Sequence, residues 1–268
     1  MKDILVHIDD SERTGARIDI AVSLAKRFSS RLIGLFARLD SHTVSAVARR
    51  ASDTWKQAAE IAEADFRHRA EAAGVEALWW PLAHGAPEYV LSETAFCCRY
   101  AELVVMGQHQ PENRMVPEIL VEKAIADGGR PVLVVPHSGS FPVIGERILV
   151  AWNGSREATR AVHDSMPLLV AAKEVTVLSL HNPDSSLSSG EPPVSILDHL
   201  AANGVKARGE RLAGEQIGKM DMLLSRLCDL GADMLVMGAH VPERISLARN
   251  SGTRHILRQM TQPVLFAT

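Results

Sequence analysis

The sequence predicts an α/β protein made of two tandem copies of one unit, each an open parallel sheet with helices on both faces. Three matched segments predict the duplication. Glu102 to Asn113, ELVVMGQHQPEN, recurs as Asp233 to Arg244, DMLVMGAHVPER. The opening ILVHIDDSER at Ile4 recurs as ILVAWNGSRE at Ile148, and the closing RPVLVVP at Arg130 as QPVLFAT at Gln262. Their order is the same in both halves, which chance matches do not preserve. Short apolar runs alternating with amphipathic stretches predict the parallel sheet. At 268 residues the chain suits two domains of roughly 130 residues, placed at 1–138 and 144–268.

In the first unit, Ile4 to Ile8 is an apolar run of the kind a buried strand needs. Asp9, Asp10 and Ser11 are helix-starting residues, and Ile18, Ala21, Val22 and Ala25 follow at helical spacing. A second strand is expected at Leu32 to Leu39. One long helix should run from His42 to Ala73, with Val44, Val47, Ala51, Trp55, Ala59, Ala62, Phe66 and Ala70 as its apolar stripe. Gly74 stops it. Then come a strand at Val75 to Leu82, a helix from Pro87 to Cys98, a strand at Leu103 to Met106, a helix from Pro117 to Ala126 and a strand at Val132 to Val135.

The second unit repeats the scheme: a strand at Ile148, a helix from Ser155, strands at Val175 and Val205, and a helix from Gln216 to Leu230. A strand at Met234, a helix after Gly252 and a strand at Val264 complete it. It departs from the first at HNPDSSLSSGEPPVS, His181 to Ser195, where a loop and a short helix ending near Asn203 stand in for the long helix. Its Pro, Ser and Gly content predicts a mobile loop. Either a lid over residues 183–195 or a polar scar of a deletion accounts for it. The connection Pro136 to Glu146 is short, which predicts that the two units pack together.

Composition narrows the function. The chain is 46% hydrophobic and 23% charged, ordinary for a globular protein. A net charge of −3 and a pI near 6.4 supply no basic excess for neutralising phosphates, which argues against a nucleic-acid partner. Cys97, Cys98 and Cys228 form neither a disulfide framework nor a zinc spacing, and fit a reducing compartment. MKDILVHIDD reaches its acidic pair too soon for a signal peptide, and no apolar stretch approaches the roughly 20 residues that span a bilayer. The expectation is a cytoplasmic protein with no membrane partner.

The strand-Asp-x-Ser opening (ILVHIDDSE, ILVAWNGSR), the Met-Gly turn with His two residues on and the closing PVL strand together resemble the universal stress protein family. SGTRHIL, Ser251 to Leu257, adds to the likeness, which covers nearly the whole chain in two copies. The resemblance implies a Rossmann-like fold of the adenine nucleotide alpha hydrolase-like kind, with five parallel strands per unit. It also implies a pseudo-two-fold association of the two units as an intramolecular pseudo-dimer; the covalent link makes a monomer plausible, and a homodimer of chains stays open beside it. In many members it implies an ATP or AMP site, with Mg²⁺.

That site's pattern is Gly, two residues, Gly, nine residues, Gly, then Ser or Thr, with an acid ending the first strand. The second unit supplies Met237, Gly238 and His240, then Val241 where the second glycine belongs. Gly252, Thr253 and Arg254 follow one residue late, and Asn153, followed by Gly154, replaces the acid. The first unit supplies Asp9 and Gly107, with Gln110 at the second glycine and no later Gly-Ser or Gly-Thr. A β-branched Val241 is costly if that position has φ > 0, and Pro111 and Pro242 have no N–H for a phosphate. Between Gly107 and Ala124, Glu112, Glu118 and Glu122 against Arg114 and Lys123 leave −1. Between Gly238 and His255, Arg244, Arg249 and Arg254 against Glu243 leave +2. A polyphosphate would favour the second unit. A tight turn kept for structure alone is the competing account, stronger for the first unit. Asp9 and Asp10 are equally readable as helix caps, with Ser11 and Ser155 as alternatives, and His109 and His240 as hydrogen-bonded turn histidines rather than metal ligands.

No GxxxxGK[ST], GxGxxG after the first strand, GxSxG or HExxH occurs. The reading is a non-enzymatic stress-response or regulatory protein with a degenerate nucleotide site, better kept in the second unit. The alternatives are a slow ATP hydrolase of the same fold and a module binding a non-nucleotide small molecule beside the Ser-rich loop.

Overall fold

The computed structural model describes residues 1–40, 50–181, 195–213, 218–240 and 251–268. The stretch from 183 to 194, Gln216, and the turn at Val241 and Pro242 lie outside the described residues, as do Val44 and Val47. The chain divides into two compact units, Met1–Ser140 and Phe141–Thr268.

The first unit runs β1 (Asp3–Ile8), α1 (Thr14–Phe28), β2 (Arg31–Phe36), α2 (Asp53–Ala72), β3 (Ala77–Pro81), α3 (Pro87–Cys98), β4 (Leu103–Gly107), α4 (Leu120–Asp127) and β5 (Val132–Val135). Its strands lie in the order β3-β2-β1-β4-β5, and the recorded pairs are parallel. The chain works outward from β1 to β3 and then jumps back to β4. Right-handed crossovers therefore put α1 and α2 on one face and α3 and α4 on the other, and each of these helix pairs is in contact. Covered on both faces, β1 must be apolar on both, and Ile4, Leu5, Val6 and Ile8 are fully buried.

The second unit has the same order, β10-β9-β6-β7-β8. Its elements are β6 (Arg147–Trp152), α5 (Arg156–Asp164), α6 (Met166–Ala171), β7 (Glu174–His181), α7 (Ile196–Ala202), β8 (Ala207–Ala213), α8 (Lys219–Asp229), β9 (Met234–Gly238), α9 (Gly252–Gln259) and β10 (Val264–Ala267). An acid ahead of the fourth strand ties down the start of the first strand in each copy. Glu102 accepts from the amides of Lys2 and Asp3, and Asp233 from those of Gly145, Glu146 and Arg147.

Several expected boundaries shift. The helix expected from His42 begins at Asp53, because Ser52 caps it through Trp55 N and is itself held by the Asp40 carboxylate. The helix expected from Pro117 begins at Leu120, after a turn closed by Leu120 N on Pro117 O. The strand expected at Val205 begins at Ala207, after the Gly204 turn at φ +81°. The helix from Ser155 breaks at Ser165, where Pro167 has no N–H to continue it and the Ser165 hydroxyl donates to Ala161 O.

In the first unit an aromatic wedge fills the space between α2 and the sheet. Phe36 meets Trp55 edge-on at 4.9 Å and Trp79 at 6.0 Å, and Trp79 meets Phe66 at 5.7 Å. Cys97 and Cys98 are buried on α3, and burial pushes both thiols up to about 12. Cys228 is exposed on α8.

Candidate functional site

Each unit has a crevice at the carboxyl ends of its first and fourth strands, where the strand order reverses and open α/β sheets take ligands. The two crevices differ in content. In the first unit Asp9 Oδ1 accepts from Ser11 N at 3.0 Å, forming a turn rather than a helix cap. α1 has no side-chain cap, and Arg13 stands at its N-cap position. The same carboxylate takes the hydroxyls of Ser11 and Thr14 and faces Arg17 Nη2 at 3.1 Å. Arg17 Nε donates to His7 O at 2.8 Å, and its Nη2 to Thr14 Oγ1 at 3.0 Å. Both charged groups are 4% exposed. Neighbouring Asp10 pairs instead with Arg38.

The Arg17 guanidinium lies directly against Gly107, where even a methyl group would overlap it. What is left of the crevice is about 20 Å³, room for a single water. Burial alone would push the Asp9 carboxyl up, but Arg17, His7 and the two hydroxyls outweigh it and hold it well below the usual carboxylate range. Burial, then Arg17, bring His7 down to about 4, so it is neutral, with Nε2 2.7 Å from Ala37 O.

The turn after β4 closes on itself. Asn113 N donates to Gln110 O and Met115 N to Asn113 Oδ1. Gln110 has no left-handed backbone. The expected hydrogen-bonded turn histidine is not found here, since His109 Nδ1 is buried without a partner.

In the second unit the matching residues are Ala151 for His7, Asn153 for Asp9, Ala161 for Arg17 and Gly238 for Gly107. Asn153 Oδ1 repeats the Asp9 turn by accepting from Ser155 N at 3.0 Å, while Ser155 caps α5 through Ala158 N. Among the described residues no arginine lines this space. A groove of about 170 Å³ lies there, lined by Trp152, Asn153, Ser155, Lys219, Met220, Met237 and Gly238 among others. Gly238 is required by packing, since a Cβ there would sit 2.5 Å from the Ala158 nitrogen. Gly238→Ala is expected to cost about 1–3 kcal/mol by forcing β9 from α5. Urea unfolding followed by circular dichroism measures this, and an unchanged midpoint would contradict the packing.

The remaining predicted residues divide. Gly252 packs against Met220, a groove residue, with its would-be Cβ 3.1 Å from the sulfur. Thr253 Oγ1 accepts from His240 N at 3.1 Å and lies 3.3 Å from His240 O, so it is the His240 backbone that makes these bonds while its ring is exposed. Ser251 caps α9 through Arg254 N. Gly154, at φ +72°, lines a different cavity. Sequence reasoning missed Arg17, Trp152 and Lys219. The exchange of Arg17 for Ala161, at the same distance from the matched strands, was the available signal.

No known family's sequence model matches the chain, and no curated protein does either. Solved structures do. A universal stress protein from Archaeoglobus fulgidus superposes with a TM-score of 0.78 at 16% identity, over 99% of this chain and 98% of that one. A protein from Pseudomonas aeruginosa assigned as a universal stress protein gives 0.63 at 17% identity, over 100% and 93%. A universal stress protein in complex with cAMP aligns with 51% of this chain at a TM-score of 0.39, too slight a likeness to carry its ligand across. Among the described residues no helix is long and apolar enough to cross a membrane. The fold of this chain is that of the universal stress proteins, laid down twice along one polypeptide.

Proposed function

We propose that the second unit binds an adenine nucleotide, AMP or ATP with Mg²⁺, weakly, and that the first unit is a closed copy that binds none. The observation that carries this is the exchange at one helix position. Arg17 fills the first crevice, whereas the second unit, with Ala161 at the matching helix position, keeps an open groove beside Gly238. The open groove offers an aromatic face in Trp152, an amide in Asn153 that can donate and accept, and a cation in Lys219. Weak binding follows from groups already spent on each other, since the His240 amide is taken by Thr253 and the α9 terminus by Ser251. Among the described residues no carboxylate or histidine lines the groove, which supports ligand sensing in a stress response rather than turnover.

Calorimetric titration of the whole chain with AMP, and with ATP and Mg²⁺, tests this. Binding of one equivalent is expected, abolished in Ala161→Arg and weakened about tenfold in Lys219→Ala through the lost charged contact. No binding at millimolar nucleotide would overturn the reading. So would affinity unchanged in both variants, or steady phosphate release by the wild type.

A further inference from the structure

We infer that the second unit holds a separate site, on the α5–α7 side of its sheet, for a flat aromatic molecule bearing a carboxylate. Strand register locates it. In the first unit Ile8 pairs with Phe36, which pairs with Pro81. In the second, Trp152 pairs with Ser179, which pairs with Arg211. Since Ile4 and Ile148 begin matched strands, these are the same rung of the two sheets. Side chains of a parallel rung share a face.

In the first unit that rung is sealed. Ile8 and Phe36 are fully buried, and Trp55 of α2 stands edge-on against Phe36. The second unit has exchanged each sealing part. Ser179 replaces the Phe36 ring, while Gly209, which stands at the Trp79 position of the register, is covered by Leu197 of α7. The seven residues of α7 replace the 20 of α2. Deleting the Phe36 ring without collapse leaves a cavity, and one of about 650 Å³ is present, within the range of small-molecule sites.

Its walls dictate the ligand. Trp152, Val162 and Ile196 give apolar surface where the first unit has its aromatic wedge, so a flat ring fits the space the wedge occupies. Among the described lining residues, His163, His199 and Arg211 bring only cationic or neutral heads and none is a carboxylate. An anionic group on the ring is therefore favoured, with the Arg211 guanidinium on the cavity wall as a charged neighbour. The side chain of Ser179 lies on the opposite sheet face from Leu178 of the nucleotide groove, and among the described lining residues Trp152 alone borders both.

The test uses the whole chain and 2-naphthoate as probe, read by calorimetry and ligand-detected NMR. Wild type is expected to bind one equivalent. Ser179→Phe, which restores the missing ring, should abolish naphthoate binding and leave AMP titration unchanged, so failure here is separable from failure of the nucleotide reading. Arg211→Ala should weaken naphthoate about tenfold, and 2-naphthamide should bind the wild type about tenfold more weakly. Should Ser179→Phe fail to fold, Thr159→Trp fills the same cavity from its rim. No naphthoate binding to wild type overturns the inference, as does equal binding to the filled variants, equal affinity for the amide, or joint loss of AMP and naphthoate in Ser179→Phe.

Discussion

Arg17→Met is expected to destabilise the first unit by about 3–5 kcal/mol, the cost of leaving one partner of a buried ion pair uncompensated. The whole crevice depends on this side chain. It neutralises Asp9, satisfies His7 O and fills the space above Gly107. Without it the Asp9 carboxylate stays buried with only the Ser11 amide and hydroxyls of Ser11 and Thr14 to hold it. The double variant Arg17→Met with Asp9→Leu should recover much of the loss, because the two residues act as one pair. Urea unfolding read by tryptophan emission is suited to this, since Trp55, Trp79 and Trp80 lie in the first unit. A loss below about 1 kcal/mol would place the pair with exposed salt bridges of little worth.

Acid is expected to weaken the same unit well before its carboxylates titrate. His7 falls from 6.5 to about 4 on folding. Between those values the unfolded chain takes up a proton that the folded chain refuses, so stability falls as the pH falls. Below about pH 4 both states hold the proton and the effect levels off. The shift corresponds to about 3 kcal/mol. Asp9 acts in the same direction lower down: its carboxyl is depressed, so its contribution is full above the unfolded carboxylate value and drains away beneath it. His7→Gln should flatten the profile between pH 6.5 and 4. Identical slopes in that variant and in wild type would dispose of the assignment. The second unit has Ala151 at this position and should not share the dependence.

The fold could be read from the sequence because its signals are local and doubled. β1 and β6, β4 and β9, and β5 and β10 are short apolar runs that any parallel core demands, and each is present twice. Helix starts were less legible where tertiary contacts decide them. α2 begins at Asp53 because Asp40, across a connection, fixes its cap Ser52. Part of the candidate site was also legible, since Asn153, Met237 and Gly238 meet in one groove. Arg17 was not, because nothing local shows that a residue two turns from Asp9 in sequence reaches back over a glycine from β4. Gly154 lines the cavity beside Ser179 and not the groove, because at a strand end only the sheet face decides between the two. The site beside Ser179 needed the register of two pairs of strands before the missing ring could be noticed.

The thiols set how the protein can be watched. Cys97 and Cys98 are shielded and their thiols held protonated up to about 12, so a maleimide dye at neutral pH reaches Cys228 alone. One fluorophore per chain then rides on α8, the helix whose first turn carries Lys219 and Met220. Wild-type protein thus comes with a built-in attachment point for reporting events at the open groove, with no cysteine to remove.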